Sequence, residues 1–203
     1  MSWSLGETGA LAQKAVRGSG FPWGLAEEAA TAVTWLQARN LPGVMILCSY
    51  LSRHSAIGTK DGDSSPACPI ALGCEISDGA VNLPDGTGEC RDLGMVHSPA
   101  LLLGVLQSHL DGPYWLRARG TEFRRLATIE DLWDAGLMAT TVHCEIRRDQ
   151  TLQVEKPLAT QSRVSDQYQC CIDQLTALAH RTYAPATSQS RLSGAGAGLN
   201  DND

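Results

Sequence analysis

Lysine is scarce in this chain. Only Lys14, Lys60 and Lys156 stand among its 16 basic residues, against 22 acidic ones, and the formal net charge is −6. Nucleic-acid phosphates are held by a positive surplus, so binding to nucleic acid is not expected. Long apolar runs are lacking too. A membrane-crossing helix needs about 20 apolar residues in succession. The longest candidate, Val44 to Leu51, is far shorter and includes Cys48, Ser49 and Tyr50. No membrane span is expected. The opening MSWSLGETG has no basic segment followed by an apolar one, so no secretory leader is expected and the cytoplasm is the expected compartment. Closely spaced cysteine pairs of the zinc-knuckle kind are also missing. The seven cysteines are an odd number without the pattern of a small disulfide scaffold, which favours free thiols and no metal or other cofactor.

What is present suits one globular unit. The 203 residues are 43% hydrophobic, enough for one core. Ser4 and Glu7 form a capping-box pattern ahead of an apolar stripe at Leu11, Ala15 and Val16, which Gly18-Ser19-Gly20 ends. A second helix follows at FPWGLAEEAATAVTWLQARN. Leu25, Ala29, Ala32, Val33 and Leu36 share one face of it, Glu27 and Glu28 are placed in its first turn, and Asn40 stands at its C-cap. Pro42 opens a third, largely apolar helix to Arg53. Residues 54–95 are rich in Gly, Pro, Ser and Asp and read as irregular, with CPIALGCEISDGAV pinned to the core. Ser98 and Pro99 start a strong helix that Asp111-Gly112 stops.

The periodicity then changes. In YWLRARGTEFRRLA, Trp115, Arg117 and Arg119 alternate with Tyr114, Leu116 and Ala118, and Gly120-Thr121 reads as a hairpin turn. LMATTVHCEIRR is a further strand and TLQVEKP a fourth. A last helix is expected from Ser165 to Thr182, ended by Pro185. The reading is α+β: a helical N-terminal half, a small antiparallel sheet, and a C-terminal helix followed by a Gly-rich tail. It forms a single domain over 1–203, with a helical sub-domain 1–60 and an α+β sub-domain 96–203 as the alternative division.

Several groups invite chemistry. Cys68, Cys74, Cys90 and His97 could ligate zinc, but their wide spacing favours small buried side chains instead. His143 and Cys144 are strand neighbours, so they point to opposite faces and cannot form a dyad. Arg117, Arg119, Arg124, Arg125, Arg147 and Arg148 crowd the sheet, where guanidinium forks suit an oxyanion. In the C-terminal segment His180, Arg181, Tyr183 and Arg191 precede Gly194, Gly196, Gly198, Asn200, Asp201 and Asp203. Such glycines permit an anion-binding backbone nest. The string is neither a P-loop nor a dinucleotide fingerprint, since no Lys-Ser/Thr and no helix follow the glycines.

WGLAEEA, CPIALG and RTYAPAT…SRLSGAGAGLNDND together resemble a bacterial family defined only as a domain of unknown function. The resemblance extends along the whole chain and is most specific at the C-terminal string. It implies a bacterial, cytoplasmic protein and no particular reaction. Two functional expectations follow. The first is a small enzyme acting on a polar, anionic metabolite. His180 or Tyr183 would handle protons. Arg117, Arg119, Arg181 and Arg191 would bind, with Gly194, Gly196, Gly198, Asn200, Asp201 and Asp203 closing the site. The second is a non-catalytic accessory protein whose tail or helical half binds a partner protein.

Overall fold

A computed structural model describes residues 3–54, 65–83, 89–109, 114–123, 128–148 and 163–182. In chain order the elements are β1 (Trp3–Ser4), α1 (Leu5–Gly18), α2 (Trp23–Ala38), α3 (Gly43–Arg53), α4 (Pro69–Ser77), β2 (Cys90–His97), α5 (Pro99–His109), β3 (Tyr114–Ala118), α6 (Ile129–Asp134), β4 (Thr141–Arg148), β5 (Arg163–Val164) and α7 (Gln169–Ala179). Short 3-10 turns flank α7 at Asp166–Tyr168 and His180–Thr182. The fold is α+β, as the periodicity implied. No helix among the described residues is long and apolar enough to cross a membrane.

Local sequence explains most helix boundaries. The Ser4 hydroxyl accepts the Glu7 N–H at 3.2 Å and the Glu7 carboxylate accepts the Ser4 N–H at 2.8 Å, completing the expected capping box of α1. Thr128 and Asp131 repeat the device at α6. Asn40 takes φ 59° after α2, a left-handed conformation that asparagine tolerates. The amide of buried Gln37 supplies what Pro42 cannot: its Oε1 accepts the Val44 N–H at the start of α3. Glu27 and Glu28 lie beyond the first turn of α2, because that helix starts earlier than expected, at Trp23 behind Pro22.

Small residues let the helices approach closely. Ala26, Ala29, Ala32, Val33 and Leu36 are the buried face of α2. Against it lie α1, α3 and α5. Every residue from Leu101 to Leu106 is buried, so α5 is enclosed on all sides at the centre of the core. Gly18, the last residue of α1, lies against the backbone of α7 at Leu178.

The larger sheet runs β2-β4-β3, all antiparallel. Leu116, Ala118, Cys144 and Ile146 are buried on its inner face, while Arg117, His143, Glu145 and Arg147 alternate to the outer one. A bulge between Asp92 and Gly94 shifts the register of β2. A second, two-stranded sheet joins β1 to β5 and so ties the start of α1 to the approach to α7.

Three further expectations are corrected. Residues 54–95 are not irregular throughout. Pro69 opens α4, whose buried Ile70, Gly73 and Ile76 recur at helical spacing, and Cys90–His97 is a strand whose alternation is broken by the Gly94 bulge. The Gly120-Thr121 turn does not fold β3 back onto the residues after it. β3 pairs with β4, and the Thr121 hydroxyl is spent on the carbonyls of Ala118 and Ala135. The C-terminal helix is regular only over Gln169–Ala179, with a tighter turn at each end. The TLQVEKP strand and the Gly-rich tail lie outside the described residues.

Candidate functional site

Of the arginines singled out from the sequence, Arg117 and Arg147 lie on the outer face of the larger sheet and Arg119 follows the end of β3, while Arg124 and Arg125 lie outside the described residues. Arg117 donates from Nε and Nη2 to Glu145 Oε2 at 2.9 and 2.8 Å, and from Nη1 to the Thr121 carbonyl at 2.6 Å. Its guanidinium also lies over the Phe123 ring, 4.0 Å from the centroid. Arg119 meets Glu145 and Asp92, each at 3.3 Å. Asp92 further receives His143 and the Gly94 N–H. That backbone hydrogen bond, followed by His143 and Arg119, holds the Asp92 carboxyl below its usual range. Two guanidinium groups are thus balanced by two carboxylates, and little attraction is left over for an anion.

His180 and Arg181 are exposed in the turn after α7, which packs against α1 rather than against the sheet that carries Arg117 and Arg119. Tyr183, Arg191, Gly194, Gly196, Gly198, Asn200, Asp201 and Asp203 lie outside the described residues. Cys90 and His97 sit at opposite ends of β2, about 20 Å apart at strand rise, so the Cys68, Cys74, Cys90, His97 series is not assembled. Among the described residues no three His, Cys, Asp or Glu side chains are grouped to hold a metal ion. His143 and Cys144 do point to opposite faces, with Cys144 buried.

A different constellation forms where the end of α3 meets the junction of β2 and α5. The His54 and His97 rings pack with centroids 3.9 Å apart at a tilt of 42°, and the Tyr50 ring lies 5.0 Å from that of His54. His97 Nδ1 shares a 2.7 Å hydrogen bond with Thr141 Oγ1. The Tyr50 hydroxyl donates to Cys68 Sγ at 3.2 Å. Cys68 is brought there by the bridge of Ala67 to Val96, with the Ala67 N–H on the Met95 carbonyl and the His97 N–H on the Ala67 carbonyl. Burial, then the neighbouring charges of His97 and Arg53, hold His54 below the usual imidazole range. Burial and then Arg53 do the same to His97. Both imidazoles are therefore neutral near pH 7 and able to accept a proton. Burial also pushes the Tyr50 phenol up.

Beside this stack is an open cleft of about 210 Å³. Met45, Ile46, Ser49 and Arg53 of α3 form one wall. Ser98, Ala100, Trp133, Leu137, Met138 and Ala139 form the other. Arg53 Nη2 donates to Ser49 Oγ at 2.7 Å, and no carboxylate among the described residues meets it. Ser98 adopts φ 42°, a conformation seldom taken by residues other than glycine, held by its N–H on the Thr140 carbonyl. The cleft takes Arg53 and Ser98, and the ring stack takes their chain neighbours His54 and His97. Sequence reasoning named His97 only as a zinc ligand and passed over Arg53 and His54, since no motif links the end of one helix to the start of a later one.

Residues 3–71, about a third of the chain, match the model of a family described as "Protein of unknown function (DUF3726)". This bears out, for that part of the chain, the resemblance to a domain of unknown function. The match takes in Tyr50, Arg53, His54 and Cys68 but neither His97 nor Ser98. No curated protein matches the chain. No solved structure matches it either.

Proposed function

We propose that the protein binds a small anionic metabolite in the cleft between α3 and the segments that begin α5 and follow α6, and that the His54–His97 pair exchanges a proton with it. The observation that carries the reading is Arg53, a guanidinium without a carboxylate partner among the described residues, set with Ser49 and Ser98 in a mainly apolar cleft. An apolar recess with a few convergent polar groups is the usual form of a small-molecule site. Its volume suits a compact acid rather than a nucleotide. Arg53 would take an oxyanion with two of its N–H groups, the serine hydroxyls would orient it, and a neutral imidazole beside the cleft would act as general base. Arg117 and Arg119 are already matched by Glu145 and Asp92, which makes Arg53 the better-founded anion contact. In the same reading the protein works in a bacterial cytoplasm.

The test is a thermal-shift and calorimetric screen of short carboxylates, dicarboxylates and phosphate monoesters against the wild type and Arg53→Gln. A binder at 100 times its Kd adds about 2.7 kcal/mol of stability, or about 5–10 °C in Tm for a chain of this size. The shift should disappear in Arg53→Gln. A screen without a binder, or a shift of equal size in the variant, removes the proposal. The accessory-protein reading has one observation in its favour: Trp133, on the rim of the cleft, is 62% exposed. A partner protein held through that indole would lose affinity on Trp133→Ala and would be indifferent to the anion.

A further inference from the structure

A second group of reactive side chains lies away from the cleft, where α3 packs on α7. Cys48 of α3 is buried, and its thiol donates to Gln174 Oε1 of α7 at 3.1 Å. The Nε2 of the same amide reaches Cys170 Sγ at 3.6 Å. Cys171, the next residue of α7 and one turn before Gln174, is packed against the core cluster that includes Cys48, and its charge is felt by the Cys48 thiol. The Gln174 amide thus joins one thiol of α3 to one of α7, with a third thiol at the next position of α7, and all three are unbridged. Neighbouring helix positions point about 100° apart, so Cys170 and Cys171 cannot face Cys48 equally. Cys170 is exposed, while Cys171 is half-buried and packed against the core to which Cys48 belongs.

We propose that Cys48 and Cys171 are a peroxide-oxidised pair whose disulfide staples α3 to α7. The Cys171 thiolate attacks one oxygen of hydrogen peroxide. The O–O bond breaks, the departing hydroxide takes a proton to become water, and the sulfur is left as a sulfenic acid. The Cys48 thiolate then attacks that sulfur. The S–O bond breaks, a second water leaves, and the S–S bond forms. Two thiols lose two electrons and two protons, and one peroxide becomes two waters.

The order of the steps follows from the surroundings. Cys48 is pushed up to about 12, first by burial and then by the charge and hydrogen bond of Cys171. It is therefore a poor first nucleophile. Sulfenylation removes the Cys171 thiolate and with it that charge, so Cys48 ionises more readily once its partner has been oxidised. This inference does not depend on the cleft and is read by a different measurement.

The full chain is treated with hydrogen peroxide, alkylated, digested with trypsin without reduction and mapped by mass. Residues 40–53 should appear joined to residues 164–181, with fragment ions placing the bond on Cys171 rather than Cys170, and dithiothreitol should separate them. The link should persist in Cys170→Ser and be lost in Cys171→Ser. Oxidation should raise the thermal midpoint of the wild type by about 10 °C, because the bridge closes a loop of more than 100 residues. Conversion of these thiols to sulfinic acid without joined peptides would overturn the proposal, as would a bond on Cys170. If Cys171→Ser does not fold, the fragment ions of the wild-type peptide decide the matter by themselves.

Discussion

Replacing Gly18 with alanine should separate two helices. A Cβ at this position would stand 1.9 Å from the carbonyl oxygen of Leu178 and 2.8 Å from its carbon. Both atoms are backbone, so no side chain can turn aside. Restoring ordinary contact needs a displacement of about 1.5 Å between α1 and α7, and a radial gap of even 0.5–1 Å forfeits about a quarter to a half of the dispersion attraction. Ile172 and Leu175 are buried on α7, and each such side chain is worth about 1.5–3 kcal/mol when fully buried. Losing a quarter to a half of that gives about 1–3 kcal/mol, in line with measured costs of overpacking. The gain in helix propensity, at most about 1 kcal/mol in a helix interior, is smaller at this last position of α1. The net loss is about 2 kcal/mol, or about 4–8 °C in Tm. Gly6→Ala is the control, since nothing lies within 4 Å of its added Cβ. Calorimetric melts of the two variants check the reasoning. Equal midpoints for Gly18→Ala and Gly6→Ala would refute it.

Ser4→Ala removes the side-chain half of the capping box on α1 and should cost about 1 kcal/mol, measurable by denaturant titration. Acid should weaken the fold through His54 and His97. Both have folded-state values below their unfolded ones, so below about pH 6.5 the unfolded chain binds more protons than the native one and stability falls until the folded values are passed. Above that window their contribution is fully present. Melts between pH 7.5 and 4.5 should show a shallower acid slope in His54→Gln than in the wild type, and parallel slopes would contradict the assigned role of the ring stack.

Local signals were legible where one segment decided its own conformation. The capping box at Ser4 and Glu7, the apolar face of α2 and the start of α5 at Pro99 each follow from neighbours within a few residues. β2 was hidden by its own irregularity, because the Gly94 bulge breaks the alternation that marks a strand. The partner of β3 was hidden for another reason. Its hydrogen bonds go to β4, beyond α6, and a tempting Gly-Thr turn pointed to the nearer residues. The arginines of the sheet were visible, but their partners were not, since Glu145 and Asp92 come from two other strands. The cleft was least legible of all. Arg53 reads from sequence as an ordinary helix-ending cation, and only the packing of α3 beside Ser98 gives it a recess to act in.

The pairing of α1 with α7 has a consequence for synthesis on the ribosome. β1 and the first helix are made early, but the strand and helix that cover them, at Arg163–Val164 and Gln169–Ala179, come some 160 residues later. At about 5–20 residues per second, the side of α1 that packs on α7 waits on the order of 10–30 s for its cover, although α2 follows α1 at once. During that interval the nascent chain is exposed to chaperones and to other nascent chains. The N-terminal helices acquire their final environment only when α7 has emerged.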